Sequence, residues 1–206
     1  MTASSHTGKT FNMGIFLYPG VEELDFCGPF EVLKAASYKR NRKGLTPDWH
    51  VFTIAEDPGL LKTSGELLIQ PNYTFHDHPH IDLLVIPGGA AGPQVEKPAV
   101  LEWLGKVTSQ TQLNTSVCNG AFFLGALGLL DGHTVTTHWS ALDELAEQYP
   151  KTQVRREVRW VDEGRLVTAA GISAGIDMSL HLVERLAGRE LAEDVAHYME
   201  YRWQEQ

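Results

Sequence analysis

Three features of the sequence predict an α/β domain with a mostly parallel central sheet. Apolar, strand-like segments alternate with helical stretches of roughly ten to fifteen residues, as βαβ units require. Residues 81–86 form a continuous apolar run closed by Pro87-Gly88-Gly89, the pattern of a strand covered on both faces. At Cys118 a strand-like segment passes abruptly into a helix of small residues, the shape of a nucleophile elbow.

Taken in order, residues 11–18 read as a first strand, stopped by Pro19-Gly20. Residues 29–40 read as a helix opened by Gly28-Pro29, because proline suits a first helical turn. Residues 49–55 are a second strand. Residues 60–70 suggest a hairpin turning near Ser64-Gly65, and residues 71–79 a polar loop. The buried strand at 81–86 is followed by a helix over 98–111 and by the strand that delivers Cys118. Beyond the elbow helix come a short strand at 134–137, a helix at 141–149 and a hairpin at 158–168 turning over Glu163-Gly164. Helices at 173–186 and 190–201 close the domain. No repeat or linker divides the chain, so residues 1–10 are expected as a disordered lead-in and 11–206 as a single domain.

Composition narrows the function. The chain has 206 residues, 43% hydrophobic and 21% charged, which is ordinary for a globular protein with a sizeable core. A net charge of −9 argues against binding nucleic acid or anionic lipid. No apolar run approaches the ~20 residues that span a bilayer, and no secretion signal is recognisable at the start. The two cysteines, Cys27 and Cys118, lie far apart and offer no disulfide framework, so a cytoplasmic location is expected.

The chemistry is expected around Cys118. Ser116 and Gly120 flank it closely enough for a tight turn. The helix beginning at Asn119 would aim free N–H groups and its positive end at the sulfur, favouring thiolate. The Asn119 N–H would also meet an oxyanion on an attacked substrate, as would N–H groups near Gly88 and Gly89. Asp25, just before the first helix, has two readings: proton-transfer partner of the sulfur, or helix cap. Spacing alone leaves both open. His138 reads either as a partner of the thiolate or as a structural histidine. His76, His78 and His80 read as a solvated loop rather than a metal site, and no metal or cofactor is expected. Cys27, Trp139, Trp160 and Trp203 read as core or interface.

Five stretches together resemble the ThiJ/PfpI superfamily: residues 16–29, Val85-Ile86-Pro87-Gly88-Gly89, Thr115-Ser116-Val117-Cys118-Asn119-Gly120, residues 129–139, and Gly171-Ile172-Ser173-Ala174-Gly175-Ile176-Asp177. They cover nearly the whole chain in the family's order. The resemblance implies a flavodoxin-like three-layer sandwich related to class I glutamine amidotransferases. Within the superfamily it points to the isocyanide hydratase branch and to the amino-terminal halves of certain AraC-type regulators. Asp25 matches the hydratase branch's Asp-x-x-Gly-Pro carboxylate, and Ile172 joins Gly88, Gly89 and His138 as an expected substrate-binding position. Asn119 stands where the peptidase-like branch has histidine and the hydratase branch threonine. A homodimer without cofactor is implied.

Two functions follow as expectations. The first is a cysteine-dependent hydratase that converts a small isocyanide to an N-substituted formamide through a covalent thioimidate. The second is a small-molecule sensing domain akin to the regulators' sensing half. The sequence has no basic helix-turn-helix segment after this domain, so DNA binding in the regulators' manner is not expected. Redox sensing through Cys118 is a third reading.

Overall fold

The computed structural model describes residues 10–205. In chain order its elements are β1 (Phe11–Phe16), α1 (Glu23–Arg42), β2 (Trp49–Ala55), β3 (Leu61–Lys62), β4 (Leu68–Ile69), β5 (Tyr73–Thr74), β6 (Leu83–Ile86), α2 (Gly92–Val95), α3 (Pro98–Gln110) and β7 (Leu113–Val117). A 3-10 turn, Cys118–Gly120, leads into α4 (Ala121–Ala126) and β8 (Thr134–Val135). A second such turn at Trp139–Ala141 precedes α5 (Leu142–Gln148), β9 (Gln153–Val154), β10 (Trp160–Asp162), β11 (Leu166–Ala169), α6 (Ala174–Ala187) and α7 (Arg189–Tyr198).

Seven strands form one sheet in the order β10-β11-β7-β6-β1-β2-β5, parallel except for β10 against β11. The expected α/β fold with a mostly parallel central sheet is therefore present. The unit β1–α1–β2 steps one way along the sheet and β6–α3–β7 steps the other. Right-handed crossovers then put α1 and α3 on opposite faces. The direction reverses between β1 and β6, and a crevice opens beyond the carboxyl ends of those strands. This crevice holds the site.

The central strands carry side chains buried on both faces, among them Ile15, Leu84, Val85 and Val117. On one face α1, α6 and α7 pack together. Gly28 allows α1 to approach α6, since a Cβ there would lie 2.9 Å from Ile176 Cγ1. Elsewhere in the core Phe16 packs against Trp103 and Phe123, with ring centroids 5.4 and 5.6 Å away. Phe75 stacks on Trp103 at 4.1 Å.

Several elements differ from the sequence reading. Helix α1 starts at Glu23 rather than at residue 29, so Pro29 sits inside it. Proline there removes one N–H, the donor to the Asp25 carbonyl, and leaves the turns on either side helical. The expected polar loop at 71–79 contains β5. Tyr73 pairs with Ile54, packs edge-on against Phe52 at 5.0 Å, and Asn72 Oδ1 accepts from Thr53 N–H at 2.9 Å. A two-residue edge strand has too short a pattern to announce itself. The strand expected at 134–137 is shorter and pairs with β9 outside the main sheet. The lead-in expected over residues 1–10 falls, but for Thr10, outside the described residues.

Candidate active site

Strand β7 carries Cys118 to the carboxyl edge of the sheet. Val117 is extended (φ −121°, ψ 138°), and Cys118 then turns to φ +55°, a region uncommon for any residue with a side chain. The bend is held from both sides. Cys118 N–H donates to Ala170 O at 3.2 Å, and Thr137 Oγ1 donates to Cys118 O at 2.7 Å. At Gly120 a Cβ would stand 2.0 Å from Ile86 O, so no larger residue fits beneath the turn. The elbow expected from the small neighbours of Cys118 is present.

Asp25 reaches the same point from α1. Its side chain is fully buried, and Oδ2 accepts from Gly88 N–H at 3.0 Å. The cap position of α1 belongs to Glu22, so Asp25 is not the helix cap. Gly88 is where the pieces meet: a Cβ there would lie 2.6 Å from Asn119 N, 2.8 Å from Asp25 Oδ2 and 2.9 Å from Cys118 Cβ. The Cys118 thiol and the Ile172 N–H both interact with the Asp25 carboxyl group. Oδ1 makes no hydrogen bond of ordinary length to either. Such contacts in a resting site can tighten around a substrate.

Burial dominates the electrostatics. It pushes Asp25 up from 3.8 to about 7, against the pull of the Gly88 N–H and with some help from Glu22. Burial also pushes the Cys118 thiol up to about 12, and the Asp25 charge adds to the rise; the Asn119 and Ile172 N–H groups pull the other way and lose. The thiolate expected from the helix behind the sulfur is thus not the resting form. Helix α4 has only six residues and begins after a 3-10 turn, while the sulfur's residue is 6% exposed. Both groups are thus held towards their neutral forms, the thiol by burial and by the Asp25 charge beside it, and the pair titrates as a unit.

The other expected residues lie around this pair in different ways. Asn119 follows the sulfur; its Oδ1 is buried without a partner, and the residue lines a cavity of about 250 Å³ with Ala91, Val95, Phe122, Glu96 and Glu144. Gly89, at φ +118°, packs against the backbone of residues 20–22, where a Cβ would meet Gly20 O at 2.4 Å. Ile172 takes φ +54° and is 38% exposed at the rim. The His138 ring faces Ser140 and Gly171: Nδ1 accepts from Ser140 N–H at 3.3 Å, and a Cβ on Gly171 would lie 2.0 Å from Cδ2.

Sequence reasoning missed two supports. Tyr18 is buried beside the pair; burial above all, and then the neighbouring Asp25 charge, raises its pKa, and its hydroxyl donates to Pro87 O at 3.1 Å. Thr137 lies in the Thr136-Thr137-His138 run, where one threonine beside another carries no sequence signal of its own. Other readings are corrected. Cys27 is exposed, not core, because α1 begins early enough to turn it outward. Trp139 is 78% exposed, so it is no part of the core. His78 is a packed residue rather than a solvated one: Nε2 accepts from Trp103 Nε1 at 3.0 Å and Nδ1 lies 2.8 Å from Pro79 O. Among the described residues no cluster of His, Cys, Asp and Glu is arranged for a metal, and no helix is long and apolar enough to cross a membrane.

A profile of the DJ-1/PfpI family matches residues 13–185. The chain belongs to the DJ-1/PfpI family. Across 190 residues it is 36% identical to the isonitrile hydratase of Pseudomonas putida, covering 92% of this chain and 78% of that one. It is 31% identical over 180 residues to the HTH-type transcriptional regulator CdhR of Pseudomonas aeruginosa, covering 87% of this chain. The DJ-1/PfpI chain spans only 52% of that regulator's length. A solved ThiJ/PfpI family protein from Pseudomonas syringae superimposes with a TM-score of 0.82 at 27% identity, over 96% of this chain and 78% of its own.

Proposed function

We propose that the protein is a cysteine-dependent hydratase converting a small isonitrile to the N-substituted formamide, with Cys118 as nucleophile and Asp25 as proton carrier. The observation that carries this reading is the meeting of the buried Asp25 carboxyl group and the buried Cys118 beside Gly88, at the carboxyl edge of the sheet. The likeness to isonitrile hydratase supplies the substrate class.

The chemistry needs what such a pair provides. Sulfur forms a bond to the terminal isonitrile carbon while its proton passes to Asp25 and on to that same carbon. The product is a thioimidate, R–N=CH–S, and Asp25 is a carboxylate again. Water then attacks the thioimidate carbon, its proton taken by Asp25 and one delivered to nitrogen. The C–S bond breaks with its electrons going to sulfur, which recovers a proton, and R–NH–CHO leaves. Backbone N–H groups of Asn119 and Ile172 steady the intermediate. Gly88 and Gly89 shape the wall, His138 borders the entrance, and the amide of Asn119 takes the place of a threonine hydroxyl with different reach. No cofactor enters this scheme. A cytoplasmic homodimer is the proposed form.

Formamide production from an alkyl and an aryl isonitrile tests this directly. Turnover is expected in the wild type and lost in Cys118→Ala and Asp25→Asn; absence of turnover in the wild type, or equal turnover in Cys118→Ala, rejects it. The likeness to CdhR favours a second reading, a small-molecule sensing domain. Thermal-shift screening that finds bound compounds, none of them turned over, would establish that reading instead.

A further inference from the structure

We propose that Glu23 is a positioning residue: its carboxylate clasps the β3–β4 hairpin and thereby fixes Asp25 against the sulfur. The inference rests on the reading of Asp25 as the proton partner of Cys118.

The first turns of α1 are poorly held by the helix itself. The cap residue, Glu22, makes no side-chain hydrogen bond to the helix N–H groups. Pro29 lacks the N–H that would bond the Asp25 carbonyl one turn earlier. Asp25 lies in this weakly capped stretch, yet the proposed chemistry needs its carboxyl group fixed to within about half an ångström. The hairpin supplies the missing anchor. Glu23 accepts hydrogen bonds from Thr63 Oγ1, from Ser64 Oγ at 3.0 Å and from Gly65 N–H at 2.7 Å. Ser64 Oγ also lies 2.8 Å from Glu22 Oε2, and Ser64 N–H donates to Val21 O at 3.0 Å. Gly20 N–H donates to Lys62 O at 2.8 Å. On its other side the same loop is fastened to the Gly88 segment through Glu22 N–H and Gly88 O at 3.0 Å.

The clasp occupies the space of a side chain. A Cβ on Gly65 would lie 2.7 Å from Glu23 Oε1 and 3.1 Å from its Cδ. The Thr63 hydroxyl above all holds Glu23 below its ordinary carboxylate range. Glu23 therefore stays ionised, and the clasp closed, where Asp25 titrates. The hairpin buries Leu61 and packs Ile69 against the core, while Leu60, Leu67 and Leu68 are exposed; its polar bonds run to the turn that carries the acid.

The test is the pH dependence of Cys118 alkylation by iodoacetamide, followed on the Cys118 peptide by mass spectrometry because Cys27 is exposed and reacts as well. Wild type, Glu23→Gln, Gly65→Ala, Glu66→Gln and Asp25→Asn are compared from about pH 5 to 10, with thermal unfolding alongside. In the wild type the rate is expected to rise through a limb near 7 that Asp25→Asn abolishes. Glu23→Gln and Gly65→Ala are expected to displace that limb by about half a pH unit or more and to slow alkylation severalfold, with folding kept. Glu66→Gln, which loses only the hairpin's surface pair with Lys62, is expected to match the wild type. A limb unmoved in both clasp variants, or moved equally by Glu66→Gln, overturns the clasp alone. A wild type without an Asp25-dependent limb overturns the pairing of Asp25 with Cys118, and the clasp with it.

Discussion

Replacing Asp25 with asparagine is expected to make the protein more stable as it makes it inactive. Burial raises the Asp25 pKa from 3.8 to about 7, so the native state holds this proton more tightly than the unfolded chain does. The linkage sign follows. The native advantage is complete below about pH 4, falls as pH rises through the interval up to about 7, and above that is a constant deficit. At ~1.36 kcal/mol per unit, a rise of about three units is a deficit of about 4 kcal/mol at pH 8. Asparagine keeps an oxygen for the Gly88 N–H but turns an amide towards sulfur, a weak acceptor, so about half the gain is expected to survive. For a chain of this length about 2 kcal/mol raises Tm by roughly 4–8 °C. Thermal unfolding of the two proteins at about pH 4, 5.5, 7 and 8.5 decides the matter. A Tm difference that opens between about pH 4 and 7 and then levels supports the buried carboxylate. A difference independent of pH, or a variant less stable than wild type at pH about 8.5, refutes it.

The rate should share this limb. If Asp25 must accept the thiol proton, kcat/KM for isonitrile is expected to rise through about pH 7 and level off, since Cys118 keeps its proton to about 12; a profile flat from pH ~5 to 9 contradicts this. Thr137→Val removes the hydroxyl that bonds Cys118 O. A loss of about 1–3 kcal/mol in denaturant unfolding is expected from the orphaned carbonyl, with slower Cys118 alkylation. Gly120→Ala forces a methyl group to within 2.0 Å of Ile86 O. It is expected to yield little folded protein, which circular dichroism and expression yield will show. Asp177→Ala strips a buried carboxylate that accepts from Arg159, Tyr201 and the Gln204 N–H. A loss of about 3–5 kcal/mol is expected by urea titration.

The elements that read well from sequence were those whose residues serve a single demand. The run at 83–86 is apolar throughout because both faces of β6 are covered, and Gly120 is small because Ile86 O leaves no room. Cys118 at the change of period, Asp25 near the first helix and Gly88 beside them were each legible. Their meeting at one point was not, since it depends on the order of β1, β6 and β7 in the sheet. The protonation state read wrongly because a helix start is visible in sequence and depth of burial is not. Helix α1 began early for a related reason. Pro29 looks like a first-turn proline, but the buried contacts of Asp25 and Phe26 extend the helix past it. Glu23 and Thr63, 40 residues apart, gave no sign of touching. Neither a carboxylate near a helix start nor a hydroxyl beside a turn is unusual alone.

A crevice with a buried carboxyl group at its innermost point, ionising at about pH 7, sorts visitors before any bond is made. At ~5 Å and an effective dielectric near 20, an approaching carboxylate or phosphate meets about 3 kcal/mol of repulsion. An anion is therefore disfavoured at the sulfur relative to a neutral molecule of the same size. Small uncharged molecules with an electron-poor carbon meet no such repulsion, so charge alone discriminates between them and anions at the sulfur.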